Sequence, residues 1–192
     1  MKKRSKLPLI MWCAAGALLI LLGVWGYNMF MKSMYPIKYE ALVKKYSSEY
    51  EVDESLVYAV IYTESRFKPE AVSSVGAKGL MQITPETFQW LQTKHPSKEA
   101  LPEDALFDPE TNIKYGVYFL SLLKAEFNEN RLILSAYHAG RGSVNRWLGD
   151  PEMSSDGKSL DKIPFKDTNS YVGKVEKTES IYKNLYKFKE ND

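Results

Sequence analysis

A long uncharged stretch near the N-terminus divides this chain into two parts. Residues 7–25 read LPLIMWCAAGALLILLGVW and contain no charged side chain, whereas residues 1–6 carry four cations. A helix needs roughly 20 apolar residues to cross the hydrocarbon core of a bilayer, and basic flanks stay in the cytoplasm. The pattern therefore predicts a cytoplasmic segment over 1–6, a single transmembrane anchor over 7–30 of a cell membrane, and an extracytoplasmic remainder.

Two other interpretations of this stretch stay open. A cleaved signal peptide has a shorter apolar region and small residues at its cleavage site, whereas this long run ends in Gly26-Tyr27-Asn28-Met29. A lipid-attached Cys13 would need small residues before it, and Ile10-Met11-Trp12 stands there instead. The pattern favours the uncleaved anchor over both.

The composition of the remainder excludes several classes of protein. Without the four N-terminal cations the chain has 22 basic against 24 acidic residues, so the outer part is not a basic nucleic-acid binder. The only cysteine, Cys13, lies in the predicted anchor, which excludes disulfides and cysteine catalysis outside. Two histidines without a paired-ligand motif, and no phosphate loop, predict neither a metal nor a cofactor.

Apolar periodicity and turn residues predict an all-α fold, with 31–44 as a linker, 45–188 as one domain and 189–192 as a tail. The clearest helix starts are Thr84-Pro85 and Asp108-Pro109, because each pairs an N-cap residue with proline in the first turn. No alternating run is long enough to predict a sheet. The predicted helices cover residues 39–46, 53–65, 85–91, 109–127, 131–139, 143–148 and a last one from Thr168 or Asn169. His95, beside Pro96 in a polar loop, is predicted to be exposed.

One acidic residue lies on the apolar face of its predicted helix. Val57, Val60 and Ile61 precede Glu64 by seven, four and three residues. All four side chains therefore project from one stripe. A carboxylate among core aliphatic side chains is poorly solvated, which raises its pKa and makes it a proton donor near neutrality. Glu64 is therefore the candidate catalytic acid.

Four short strings carry a resemblance to a known family. They are Glu64-Ser65-Arg66-Phe67, Gly79-Leu80-Met81-Gln82-Ile83, Ala136-Tyr137-His138-Ala139-Gly140 and Tyr171-Val172, with Ser73-x-x-Gly76 between the first two. Their order and spacing resemble the lytic transglycosylases with an SLT (soluble lytic transglycosylase) catalytic domain, relatives of goose-type lysozyme. The resemblance covers roughly residues 45–188 and implies a lysozyme-like helical domain.

The resemblance also implies a reaction. That family cleaves the β-1,4 bond between N-acetylmuramic acid and N-acetylglucosamine in peptidoglycan without water, which leaves 1,6-anhydro ends. Glu64 matches the family's catalytic acid, which protonates the glycosidic oxygen and then takes the proton of the muramyl 6-hydroxyl. Ordinary glycosidases use two carboxylates, and the motif strings offer no second one. The expected partners are glycan strands, the membrane and other envelope proteins, with no nucleic acid.

Six further residues acquire substrate-binding roles by the same resemblance. They are Ser73, Met81, Gln82, Tyr137, His138 and Tyr171. Ser73 would hydrogen-bond the muramyl ring region, and Met81 and Gln82 would line the glycan groove, with Met81 packing on a sugar face. Tyr137 would border the pocket of the acid, and Tyr171 would place its hydroxyl close to it.

Each of these residues keeps a structural alternative. Ser73 could instead be a turn residue, Met81 a core residue, and Gln82 a brace for loop backbone groups. Aromatic residues on helical stripes are typical of cores, which applies to both tyrosines. His138 replaces the asparagine usual in its string, and histidine titrates near neutrality, so either a structural role or a ligand contact fits it.

Three other functions remain open beside the transglycosylase. A goose-lysozyme-like hydrolase would use the same acid and release a reducing end. A non-catalytic glycan-binding scaffold of an envelope-spanning machine would keep the fold, and a membrane-assembly factor would need no chemistry. The intact Glu64 favours an enzyme.

Overall fold

The computed structural model describes residues 7–97 and 100–188, and within them the chain is helical. The helices are α1 (Leu7–Met34), α2 (Glu40–Glu49), α3 (Glu54–Ser65), α4 (Pro85–Lys94), α5 (Pro109–Glu126), α6 (Asn130–Ala139), α7 (Arg141–Leu148) and α8 (Lys166–Leu185), with a 3₁₀ helix over Glu103–Phe107. In these ranges the extended pairing consists of two isolated bridges, from Lys78 to Val72 and to Ile83. The prediction of an all-α fold is confirmed.

The N-terminal helix belongs to a compact unit of its own, which ends at Ile37, and Lys38 begins the second unit. Within α1, Ala15–Met34 is long and apolar enough to cross a membrane, and its side chains are exposed rather than packed in a core. This helix is compatible with both the anchor and the signal-sequence interpretation. The predicted segments 1–6 and 189–192 lie outside the described residues.

The second unit is built around α3. Its middle turns are buried on every side, through Val57, Tyr58, Ala59, Val60 and Ile61. It packs mainly on α8, and α6 packs on α5, α7 and α8. Burying one such aliphatic side chain contributes about 1.5–3 kcal/mol, so this helix is fixed firmly in the core. Only its ends reach the surface of the domain.

The helix starts follow from local hydrogen bonding. At α4, Thr84 Oγ1 accepts from the backbone N–H of Thr87 at 3.2 Å. At α5, Asp108 Oδ2 accepts from the N–H of Thr111 at 2.8 Å. Both predicted proline starts are therefore confirmed, whereas Asp53 occupies the N-cap position of α3 without a side-chain cap bond.

The prediction that His95 is exposed is wrong. The residue is 7 % exposed; its Nε2 lies 2.9 Å from the Tyr50 hydroxyl and its Nδ1 2.7 Å from the Ser97 hydroxyl. The rings of Tyr115 and Tyr118 on α5 contact it as well. Tyr50, Tyr115 and Tyr118 are distant in sequence, so the polar loop around His95 gives no sign of them, although Ser97 lies only two residues away.

Candidate active site

Glu64 lies in the last turn of α3 and lines a cavity of about 230 Å³. The helix ends directly after it, because the C-cap residue Arg66 adopts the left-handed conformation (φ 53°). The acid thus stands at the end of a buried helix, where the surface opens. The other lining residues are Ser73, Val75, Ala77, Gln82, Ile83, Thr84, Thr87, Phe119, Tyr137 and His138.

The protonation of Glu64 is set by its surroundings. Burial raises the pKa of its carboxyl from 4.5 to about 7, because the charged form loses hydration in the cavity wall. The Tyr171 hydroxyl lowers the pKa of the same group, since a donor near the carboxylate favours the anion. No hydrogen bond of ordinary length joins this hydroxyl to another described residue, so the effect of burial dominates. The acid can release and recover a proton near neutrality.

Tyr171 and His138 form a stacked pair beside the acid. Their ring centroids are 4.5 Å apart at an interplanar angle of 30°, and His138 Nδ1 lies 3.2 Å from Thr168 Oγ1. Burial lowers the pKa of His138, against a smaller rise caused by Asp167. These surroundings favour the neutral form of His138, and the ring borders the cavity. Tyr171 lies behind this lining and faces Glu64 with its buried hydroxyl.

Tyr137 reaches the cavity from α6. Its hydroxyl donates to the carbonyl oxygen of Met81 at 2.7 Å, and its ring centroid lies 5.1 Å from that of Phe119. Burial and the charge of Glu64 both raise the pKa of the Tyr137 hydroxyl, which keeps it protonated. The structure thus brings this residue to the pocket of the acid and ties it to the loop that holds Met81.

The opposite side of the cavity is formed by residues 71–83, here called the loop wall. Ser73 lines the cavity, and its hydroxyl oxygen accepts from the N–H groups of Ala77 at 3.0 Å and Val75 at 3.3 Å. Its hydroxyl proton remains able to donate to a ligand. The turn role and the ligand role of Ser73 are therefore compatible.

Gln82 also combines two roles. Its backbone is left-handed (φ 49°), and its Nε2 donates to the carbonyl oxygens of Ala71 at 3.1 Å and Gly79 at 2.9 Å. Left-handed residues other than glycine cost about 1–2 kcal/mol, which the two side-chain bonds offset. Gln82 braces the loop wall from a position on the cavity lining.

Met81 does not present its side chain to the cavity. The side chain is fully buried and its sulfur occupies the space beside Gly116 of α5. Its backbone N–H donates to Asn112 Oδ1 at 2.7 Å. The Met81 side chain therefore belongs to the core, which corrects the expectation that it packs on a sugar face. The sequence could not predict this, because a loop has no periodicity that indicates the direction of a side chain.

Several lining residues carry no signal in the sequence that would single them out. Phe119 lies mid-helix in α5, where aromatic residues normally belong to the core. Thr84 and Thr87 are identifiable only as a capping pair, and their hydroxyls do bond at 2.9 Å. Val75 is apolar yet 76 % exposed. Its position beside Gly76 indicates a loop, but not that the loop faces the acid.

The residues that line the cavity include few groups that can carry a charge. Among the described residues that line the cavity, Glu64 is the one carboxylate, and hydroxyl, amide and imidazole groups supply the other polar atoms. Phe119 and Val75 add apolar surface. Such a lining suits a ligand that combines hydroxyl groups with apolar faces, and the Glu64 carboxyl can offer that ligand a proton.

The sequence profile of the family "Transglycosylase SLT domain" matches residues 41–159. The match covers more than half of the chain, so the chain belongs to this family. The resemblance drawn from the four strings is confirmed.

Relatives with curated names fall into soluble and membrane-bound groups. The "Soluble lytic murein transglycosylase" of Escherichia coli (strain K12) is 35 % identical over 155 residues, which cover 80 % of this chain and 24 % of that one. The "Membrane-bound lytic murein transglycosylase C" of Mannheimia succiniciproducens is 38 % identical over 118 residues, which cover 57 % and 33 %. This chain spans about a quarter to a third of the length of these relatives.

Solved structures agree with this assignment. The crystal structure of the 70 kDa soluble lytic transglycosylase from Escherichia coli matches with a TM-score of 0.71 at 31 % identity, covering 81 % of this chain and 25 % of that chain. The same enzyme has been solved in complex with bulgecin A. An inactive Glu-to-Gln mutant of lytic transglycosylase Slt from Pseudomonas aeruginosa matches with a TM-score of 0.69 at 29 % identity, covering 81 % and 25 %. The second unit thus has the predicted lysozyme-like helical fold.

Proposed function

We propose that this chain is a peptidoglycan lytic transglycosylase that cleaves the β-1,4 bond between N-acetylmuramic acid and N-acetylglucosamine. Membership of the SLT family and the names of the relatives support the reaction class. The observation that carries the proposal is the position of Glu64, a single carboxylic acid with a pKa of about 7 in the wall of a cavity.

Glu64 acts twice in the proposed reaction. In its protonated form it donates to the glycosidic oxygen, and the bond from that oxygen to the muramyl anomeric carbon breaks. The resulting carboxylate accepts the proton of the muramyl 6-hydroxyl while that oxygen bonds to the anomeric carbon. The proton returns to Glu64, no water is consumed, and a 1,6-anhydro end is left.

One carboxylate is enough for this chemistry. Hydrolytic glycosidases place a second carboxylate where it activates water or attacks the sugar. Here the nucleophile is part of the substrate, so it is already held close to the carbon it attacks. The inactivity of a Glu-to-Gln mutant of a relative supports the central role of one glutamate.

The neighbouring side chains orient the acid and the sugar. Tyr171 faces the carboxyl of Glu64 and tempers the rise in its pKa. Tyr137, His138, Ser73 and Gln82 border the space that the muramyl residue would fill. Met81 contributes through its backbone, which receives the Tyr137 hydroxyl bond.

We further propose that α1 anchors the enzyme in the cell membrane, with the N-terminus in the cytoplasm and the second unit facing the wall. The apolar span Ala15–Met34 and the membrane-bound relatives support this topology, together with the four cations at residues 1–6. Other envelope proteins would be its neighbours there.

Mass spectrometry of digested peptidoglycan tests the reaction. The purified full chain in detergent is expected to release anhydro-muramyl products from isolated cell walls. Products one water heavier would instead establish a goose-lysozyme-like hydrolase, since water would have attacked the same carbon. Binding without any release of products would favour a non-catalytic scaffold, and neither binding nor release would favour an assembly factor.

A further inference from the structure

A row of aromatic rings extends from the cavity to a cation outside it. The Tyr137 and Phe119 centroids are 5.1 Å apart, and those of Phe119 and Trp90 are 6.1 Å apart at an angle of 77°. The guanidinium carbon of Arg141 lies 5.8 Å from the centroid of the Trp90 ring. Tyr137 and Phe119 line the cavity of Glu64, and Trp90 and Arg141 lie beyond that lining. Phe119, Trp90 and Arg141 are here called the aromatic rim.

The rim continues the wall of the cavity. On α4, Trp90 follows Thr87 by three residues, so both lie on one face of the helix. Thr87 lines the cavity, and Trp90 is therefore the next side chain outward on that face. Arg141 opens α7 directly after the turn at Gly140 (φ 83°), which brings it onto the Trp90 ring. Three helices thus contribute to one continuous surface.

The cation of the rim is both accessible and oriented. The Arg141 side chain is 51 % exposed, and Trp90 is half-buried. Glu126 Oε2 accepts from Arg141 Nε at 2.8 Å, while Asn145 donates to Glu126 Oε1 at 2.8 Å. Nε is one part of a planar fork that carries five donor hydrogens. Glu126 therefore fixes the direction of the guanidinium and leaves its terminal nitrogens able to donate to another acceptor.

We propose that the aromatic rim binds the glycan strand next to the bond that is cleaved, with Trp90 packed on a sugar ring and Arg141 holding a carboxylate of the attached stem peptide. This inference rests on the proposed function and extends it to the peptide-bearing part of the substrate. Pyranose rings have apolar C–H faces that pack on aromatic rings. Stem peptides carry free carboxylates, and the guanidinium fork matches the geometry of a carboxylate.

Charge complementarity supports this occupant over an uncharged strand alone. The cavity lining has no cation among its described residues, so a neutral sugar suits the site of Glu64. Among the described residues of the cavity lining and the rim, the positive group is Arg141, which lies against the Trp90 ring. A substrate that is neutral at the cleaved bond and anionic beside it fits both the cavity of Glu64 and the aromatic rim.

Binding measurements on the full chain in detergent, with Glu64→Gln to prevent turnover, test the proposal. The two probes are solubilised glycan strands with stem peptides and the same strands after enzymatic removal of the peptides. Trp90→Ala is expected to weaken the binding of both probes about tenfold, from lost stacking and burial. Arg141→Gln is expected to weaken only the peptide-bearing probe, by about tenfold.

Arg146→Gln is the matched control. It removes the same charge from an exposed position of the same helix, where Arg146 donates to Ser143, and it should leave both affinities unchanged. Equal losses in Arg141→Gln and Arg146→Gln would overturn the proposal in favour of a general charge effect. Unchanged affinity in Trp90→Ala would overturn it as well.

A second variant covers the case in which Trp90→Ala does not fold. Trp90→Leu keeps an apolar side chain at this half-buried position but removes the aromatic face, and it is expected to weaken both probes similarly. Tight binding by Trp90→Leu would contradict stacking. Failure of the proposed function would show separately, as water-bearing products or none from the unmodified chain, because affinity for the two probes does not depend on turnover.

Discussion

The two sides of the cavity are held in place by different local contacts. Glu64, Phe119 and Tyr137 belong to helices, and apolar burial in the core of the domain fixes these helices. The loop wall, residues 71–83, also buries Leu80 and Met81 in the core, but its turns have no helical hydrogen-bond pattern and depend on hydrogen bonds from side chains to backbone, through Ser73 and Gln82. The helical side should therefore tolerate a change of chemistry without loss of stability, whereas the loop wall should lose stability when one contact is removed.

The largest effect is expected from a substitution at Glu64, which tests whether the helical side tolerates a change of chemistry. Glu64→Gln removes the titrating proton and should lower kcat by about 10²–10⁴-fold, measured as release of anhydro products. The change should not destabilise the fold. The folded-state pKa of Glu64, about 7, lies above the ordinary value of 4.5. The protonated carboxyl therefore contributes stability that the unmodified chain loses as the pH rises from 4.5 to about 7, and the glutamine variant has no such contribution to lose.

Thermal unfolding at pH 5 and pH 8 checks this second part. The Tm of the variant minus the Tm of the unmodified chain should be larger at pH 8 than at pH 5. A variant that turns over at the original rate, or that loses stability at pH 8, would contradict the role given to the helical side.

The next largest effect concerns Gly79 in the loop wall. Its backbone is left-handed (φ 80°), and a Cβ there would collide with the Asn112 side chain and the Leu106 carbonyl. Gly79→Ala should cost roughly 2–5 kcal/mol, from backbone strain and overpacking together. Gly76 is the matched control, because it is also left-handed (φ 77°) but has open space around it.

Denaturant unfolding of both variants measures the difference. Gly76→Ala should lose only the backbone contribution of about 1–2 kcal/mol. Equal losses at the two positions would mean that the contact with Asn112 does not hold the loop wall.

The same contrast explains what could be predicted from the sequence. The helices follow apolar periodicity and start at recognisable caps, so α3 and the side of it that carries Glu64 could be inferred directly. The direction of Met81 could not, because it depends on the left-handed backbone of Gln82 and on Asn112, 31 residues away. Asn112 also donates to the carbonyl oxygens of Lys78 and Leu106, which joins three segments that no local pattern connects.

A smaller effect is expected at Tyr171. Its hydroxyl lowers the pKa of Glu64, so Tyr171→Phe should raise that pKa. Because the acid must be protonated for the first step, activity falls as the pH rises through the pKa of Glu64, and this limb of the kcat/KM profile should move to higher pH. Tyr58→Phe removes a buried hydroxyl of α3 that likewise has no hydrogen-bond partner among the described residues, and it should leave the limb in place. A shift to lower pH in Tyr171→Phe would contradict the assignment.

The smallest expected effect is that of Ser73→Ala. The change removes the acceptor of two backbone N–H groups and should cost about 1 kcal/mol of stability. If the hydroxyl also donates to the sugar, KM should rise more than kcat falls. Steady-state kinetics on soluble glycan fragments measure kcat and KM separately. Unchanged stability would contradict the turn role of Ser73, and unchanged KM would contradict its contact with the sugar.

The protonation of Glu64 itself is the most direct test of the account. Carbon-13 NMR of the glutamate side-chain carboxyls, with Glu64 assigned by comparison with Glu64→Gln, would follow its titration in the folded chain. A midpoint near 7 is expected, because burial favours the protonated form. A midpoint near 4.5, the ordinary value for glutamate, would contradict the account, because the carboxyl would already be ionised and unable to protonate the leaving sugar.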